Sequence, residues 1–327
     1  MELDVEIIDV CPRDGLQNET RILSPQTRAV LIEQLAAAGL RRIEAVSLVS
    51  EARVPAMAGA ETVLEALRGR LPKDVSLSGL CLNARGVERA LSSDLAEINL
   101  VILASDSFNR RNQGKPRDVT LAEITALAPR IHQAGRRVSV TIGAAFGCPF
   151  EGETDPGLIA SIAAELADAG VGEIALADTI GVGVPRDVRA RFAAVARTTG
   201  DRVALRAHFH DTRVTGIANA LAAIEAGVTR LDSAVGGFGG CPFAPAATGN
   251  IATEDLVYAL ERSGWRTGLD LDALIATGGW LAGHLDRAAP AALGRAGPFP
   301  PSAAASQAGP EQYSPRKLAQ TKEGRSA

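Results

Sequence analysis

From Val5 to about Trp265 the chain alternates between two patterns of hydrophobic and polar positions. Short apolar, β-branched runs predict strands at Val5–Val10, Arg42–Ser47, Val75–Cys81, Glu97–Leu103, Arg137–Ala144, Glu173–Ala177, Val203–His208 and Arg230–Val235. Between them lie Ala/Leu-rich stretches with helical spacing, such as Pro25–Ala38, Leu121–Ala134, Pro156–Ala169, Pro185–Thr199 and Thr215–Ala226. Several open on a cap signal (Ser24-Pro25, Thr120, Asp155-Pro156, Val184-Pro185) and close on glycine before the next strand (Gly39, Gly135, Gly170, Gly227). Strands alternating with helices imply right-handed βαβ units and a parallel sheet. Eight such units are the count of an α/β (β/α)8 TIM barrel. A doubly wound sheet is the alternative. Leu256–Arg262 reads as the eighth barrel helix, and Leu271–Leu285 as an additional C-terminal helix packed on the barrel.

From Ala288 onward the pattern stops. Of the last 40 residues, 25 are Ala, Gly, Pro or Ser, too few large apolar groups to offset the ordering entropy. Residues 1–287 are therefore expected to form the barrel domain with its accessory helix, and 288–327 a flexible low-complexity tail.

Composition narrows the function. The 327 residues are 46% hydrophobic and 22% charged, enough for a large core. A net charge of −4 argues against a nucleic-acid partner, which would need a basic excess. Four cysteines without C-x-x-C spacing are neither a disulfide framework nor a structural zinc site, so a reducing compartment is expected. No apolar run reaches membrane-spanning length, and the acidic opening MELDVEIIDV is no targeting peptide. A cytoplasmic protein without a membrane partner is the expectation.

In a TIM barrel, chemistry sits where the strands end. There the chain places Cys11-Pro12-Arg13-Asp14-Gly15-Leu16-Gln17-Asn18-Glu19, then Glu44 and Ser47, Cys81 and Asn83, Ser105, Gly147-Cys148-Pro149, Asp178-Thr179, His208-Phe209-His210-Asp211, and Gly236 to Pro242 followed by Asn250. His208 and His210, two apart on a strand, share a face and can converge on one point. With Asp14 as carboxylate and Asn250 as amide oxygen they make a two-nitrogen, two-oxygen set. That set suits Mg2+ or Mn2+ with open positions better than structural zinc. Two strand histidines satisfied by hydrogen bonds are the bland alternative. Arg13, next to Asp14 on an extended strand end, would point elsewhere. Its guanidinium suits a developing enolate oxygen, or else a salt bridge with Glu44 or Asp178. Cys241 lies just after four glycines in five residues, in a loop able to move. Its thiol could move a proton, or be incidental. Cys11, Cys81 and Cys148 read as buried small hydrophobes, and His132 and His284 as surface or packing residues.

These residues resemble one family. Pro12 to Glu19 reads PRDGLQNE, Asp178 to Gly183 reads DTIGVG, His208 to Thr212 fits HxHDT, and Gly239 to Pro242 reads GGCP, followed by the Ala247-to-Leu256 segment. The run is similar, in order, to hydroxymethylglutaryl-CoA lyases. These are metal-dependent barrel lyases related to isopropylmalate and homocitrate synthases. The resemblance implies retro-Claisen cleavage of 3-hydroxy-3-methylglutaryl-CoA, or a close 3-hydroxyacyl-CoA analogue, to acetyl-CoA and acetoacetate, as in leucine degradation. It implies Asp14, His208, His210 and Asn250 as metal ligands and Arg13 as the group polarising the thioester. His208 and Cys241 become acid and base, and Glu44 and Asp178 supporting carboxylates. Gln17, Ser47 and Asn112 become substrate-binding positions, and a homodimer the assembly common in the family. Cys11, Phe209, Phe238, Phe243, Ala175, Ala177 and Arg213-Val214 depart from the family pattern, which puts the acyl chain in doubt rather than the chemistry. An acyl-CoA condensing synthase or a 2-oxo-acid aldolase on the same barrel is the competing enzyme, and a metal-stabilised binding protein the non-catalytic alternative.

Overall fold

The computed structural model describes residues 4–240 and 249–300. Eight parallel strands close into a barrel: β1 (Glu6–Asp9), β2 (Arg42–Ser47), β3 (Ser76–Cys81), β4 (Glu97–Leu103), β5 (Arg137–Gly143), β6 (Glu173–Asp178), β7 (Ala204–Phe209) and β8 (Arg230–Ser233). Strand β8 pairs with β1 in parallel register, so no edge remains. The TIM-barrel expectation holds, and the doubly wound alternative does not. Strand ends moved by a residue or two because hydrogen-bond register, not hydrophobicity, ends a strand.

Helices follow the strands. Ser24 and Asp155 accept the backbone N–H of Thr27 and Gly157, so the predicted caps at Pro25–Ala37 and Pro156–Asp168 do form. Their inner faces bury Leu31, Ile32 and Leu35, and Ile159, Ile162 and Leu166, against the sheet. Helix Leu271–Leu285 packs on the barrel through Leu274, Leu281 and Leu285. Two features were not legible in the pattern. Gly147–Cys148 pairs with Gly152–Glu153 in a short antiparallel hairpin, and Cys11–Gly15 forms a single π-helical turn.

The lower barrel interior is ionic rather than aliphatic. Arg42 lies 2.8 Å from both Glu97 and Glu173, and 3.1 Å from Glu6. Arg206 lies 3.3 Å from Glu173 and 3.8 Å from Glu97. Opposite charges meet across the barrel interior as well as between adjacent strands, so their desolvation is offset pairwise, and losing one partner would cost about 3–5 kcal/mol.

The C-terminal boundary differs from expectation. Ala291 and Leu293 are buried, and the backbone N–H groups of Ala292 and Leu293 donate to Asp255 at 2.7 and 2.9 Å. The expected break at 287 thus precedes a stretch seated on the barrel. Two apolar side chains and one carboxylate receiving two amides seat it there, and bulk composition does not register them. Residues 301–327 of the expected tail lie outside the described residues.

Candidate active site

The first strand delivers its polar residues by a turn. The N–H of Asp14 donates to the Val10 carbonyl at 2.7 Å and that of Leu16 to Cys11 at 3.1 Å, winding Cys11–Gly15 into the π turn. Such turns often mark functional sites because they re-aim side chains. Here Arg13 and Asp14 turn to the same place and form a salt bridge. The expectation that they diverge assumed extended backbone and is corrected.

Around Asp14 the other candidates gather. The two imidazoles lie 5.0 Å apart between centroids, with His208 Nε2 3.9 Å and His210 Nε2 3.8 Å from Asp14 Oδ2. One nitrogen from each ring and a carboxylate oxygen of Asp14 all fall within 4.8 Å of one another, a spacing that one ion could fill. Gln17 donates to Asp14 Oδ1, and Asn250 to Asp14 Oδ2, both at 2.9 Å. The Oδ1 of Asn250 is buried with no donor. An orphaned amide oxygen beside two imidazoles and a carboxylate fits a hard divalent cation with mixed N and O ligands. Gly239 permits this approach: at φ 115° its missing Cβ would sit 2.7 Å from Asn250 Nδ2.

Arg13 is buried and fixed in direction. Its Nε donates to Glu44 Oε2 at 2.6 Å, and Asn99 donates to the other Glu44 oxygen at 2.8 Å. Glu44 and Ser47, three apart, share the inner face only because a bulge between Glu44 and Val46 resets the alternation. The Ser47 hydroxyl is buried without a partner.

The electrostatics separate the two rings. Burial lowers the pKa of His208, but the hydrogen bond and charge of Asp232, 3.1 Å from Nδ1, outweigh it and raise it. The Nδ1 of His210 faces a neutral backbone carbonyl, that of Asp178 at 3.1 Å, and burial and the neighbouring ring outweigh the charge of Asp14 and lower its pKa to about 4. Burial opposes ionisation of Asp14, yet Arg13 and the two imidazoles hold its pKa well below the usual carboxylate range.

The remaining candidates are placed as follows. The Asp178 carboxylate is turned into its own loop, accepting the N–H of Val182 at 3.0 Å and Gly183 at 2.8 Å, and burial raises its pKa. Asp178 meets the site through its backbone carbonyl. Asn112 is exposed on helix Asp106–Gln113, and its neighbour Asn109 is a buried amide tied to Leu103, Lys115 and Thr120. Phe209 points to the outer side of the sheet and packs against Phe146 at 5.7 Å, as strand alternation between two inward histidines demands. Cys241 lies outside the described residues, whereas Cys11, Cys81 and Cys148 are buried as read. Asp232 and Asn99 were missed. Both sit on strands at inward positions, and the signal for Asp232 was its place on the strand beside the H-x-H pair. No helix among the described residues is long and apolar enough to cross a membrane.

Comparison with known proteins agrees with this geometry. The HMGL-like family model matches residues 4–280. A (R)-citramalyl-CoA lyase from Chloroflexus aurantiacus is 47% identical, over 91% of this chain and 96% of its own. A hydroxymethylglutaryl-CoA lyase from Pseudomonas mevalonii is 41% identical, over 87% and 93%. An HMG-CoA lyase structure from Acinetobacter baumannii, in complex with coenzyme A and 3-methylmalate, matches with a TM-score of 0.85 at 37% identity, covering 90% of this chain and 96% of that one. With the barrel, the clustered site and these matches along nearly its whole folded length, the chain belongs to the HMGL-like family and is a lyase of it.

Proposed function

We propose that the enzyme cleaves a CoA thioester carrying a tertiary 3-hydroxyl, a 3-methyl group and a distal carboxylate. The products are acetyl-CoA and an oxo acid. The observation that carries this reading is the buried Asp14–His208–His210 cluster with Arg13 locked beside it. Asp14, His208, His210 and Asn250 would hold a divalent cation, Mg2+ or Mn2+. Bound there, it supplies Lewis acidity that lowers the pKa of a substrate hydroxyl.

The reaction moves two protons. One leaves the C3 hydroxyl as the C2–C3 bond breaks, C3 becomes a ketone, and the bonding pair enters the thioester as an enolate. The second is delivered to C2, giving acetyl-CoA. We assign these transfers to His208 and Cys241, the residues whose sequence positions match the acid and base of the resembled family. Arg13 stabilises the enolate oxygen; its guanidinium is already oriented by Glu44 and Asp14, so little reorganisation is needed as charge develops. Asn99 keeps Glu44 in place, Gln17 steadies Asp14, and the free hydroxyl of Ser47 is available to the substrate.

(R)-Citramalyl-CoA and 3-hydroxy-3-methylglutaryl-CoA differ by one methylene before the carboxylate. The 47% relative makes citramalyl-CoA the first to test. Incubation with each thioester, with products identified by mass spectrometry, distinguishes pyruvate from acetoacetate beside acetyl-CoA. Release of free CoA from acetyl-CoA plus a 2-oxo acid, without cleavage of either thioester, would favour a condensing synthase instead. Binding without any product, with Cys241→Ser behaving as wild type, would favour the non-catalytic reading.

A further inference from the structure

The two imidazoles of the site are held in different ways. His210 Nδ1 lies 3.1 Å from a neutral backbone carbonyl, that of Asp178. His208 Nδ1 lies 3.1 Å from a carboxylate, Asp232 Oδ2. Asp232 is buried and directly opposite His208 in the β7–β8 register, so strand pairing itself brings the two together. Its other oxygen, Oδ1, has no hydrogen-bond donor and lies 3.5 Å from Arg206 Nε. Arg206 in turn leans on Glu97 and Glu173. A carboxylate without a proton can only accept, so it demands the proton of the ring on Nδ1. That leaves the Nε2 lone pair facing Asp14.

We propose that Asp232 is a positioning residue for cation binding: it fixes the tautomer and the ring direction of His208 by accepting its Nδ1–H, and it ties the mouth of the barrel to the ionic interior through Arg206. The inference rests on the metal reading above. Partners of this kind contribute roughly 10–100-fold to metal affinity. Losing Asp232 leaves Arg206 with its two glutamates, so the ionic interior keeps a counter-charge.

The test uses Asp232→Asn and Asp232→Ala in the full-length protein. Mn2+ uptake is titrated by the electron paramagnetic resonance of free Mn2+. The tautomers of His208 and His210 are read from 15N shifts of the metal-free protein. Asparagine keeps the volume but replaces an obligate acceptor with a group that can donate, so it decides the matter if the alanine variant does not fold. The expected result is Mn2+ affinity roughly 10–100-fold weaker, with the His208 ring alone shifted from the Nδ1–H form. A merely structural role would disturb both rings or neither. Wild-type protein that takes up no Mn2+ overturns the metal reading and this inference with it. Wild-type uptake that persists within twofold in the folded variants, with the His208 tautomer unchanged, overturns this inference alone.

Discussion

Asn250 donates its side-chain amide to Asp14 Oδ2 at 2.9 Å across 236 positions of the chain, while its own oxygen stays buried without a donor. One bond closes the loop after β8 onto the turn after β1. The bare oxygen beside it would join Asp14, His208 and His210 as a fourth candidate ligand.

That set should fail as a unit. His210→Ala is expected to lose bound metal and turnover together, with kcat/KM down about 10²-fold or more, near 3 kcal/mol of transition-state stabilisation. Metal analysis beside steady-state assays checks it. Full turnover in chelated buffer would refute the metal site.

Arg13 should not tolerate its nearest cationic substitute. Lysine is a point charge and cannot span Glu44 and Asp14 while aiming a planar fork at an enolate. Arg13→Lys is expected to lower kcat by about 10²–10³-fold and to change KM much less. A kcat within a few-fold of wild type would remove Arg13 from the chemistry.

Glu254 predicts a pH-dependent stability. Both its oxygens face the Gly236 N–H, at 2.9 and 3.1 Å, and burial, with Asp255 and Asp9 nearby, raises its pKa to about 8. The folded chain thus keeps a proton that the unfolded chain releases at about pH 4.3. The stabilisation is complete below that point and is lost as pH climbs through about 8. Wild-type Tm should fall more between about pH 5 and 8.5 than that of Glu254→Gln, in which position 254 no longer titrates, by about 2–4 °C per kcal/mol. Equal slopes would show that Glu254 stays ionised.

Val214 offers a stability gain. It is 86% exposed and holds φ 57°, a left-handed conformation that is costly for a β-branched side chain and brings no burial in return. Val214→Gly should stabilise by up to about 1 kcal/mol, the relief being partly offset by the greater chain entropy of glycine. A lowered Tm would mean that the side chain makes a contact worth more than the strain.

How much of this was readable before folding follows from range. Strands, helices and the Ser24 and Asp155 caps were legible because they are written into adjacent residues, and eight repeats left few topologies; Thr120 instead lies inside the helix Arg117–Gln133, which opens one turn earlier. The H-x-H pair was legible for the same reason: i and i+2 share a face whatever the surroundings. Phe209 between them obeyed the same rule, and the composition of the pocket was misjudged where that rule was not applied to it. The residues that were missed or misplaced depend on partners distant in sequence or on local departures from regular backbone. Arg13 meets Asp14 because of one π turn, and Ser47 joins the face of Glu44 because of one bulge. Asp178 turns its carboxylate away because two loop amides claim it. The chain by itself determined which groups reach the mouth of a barrel. Closure of the sheet decided which of them touch, because Asp232 faces His208 only through interstrand register and Asn250 reaches Asp14 only where the last strand meets the first.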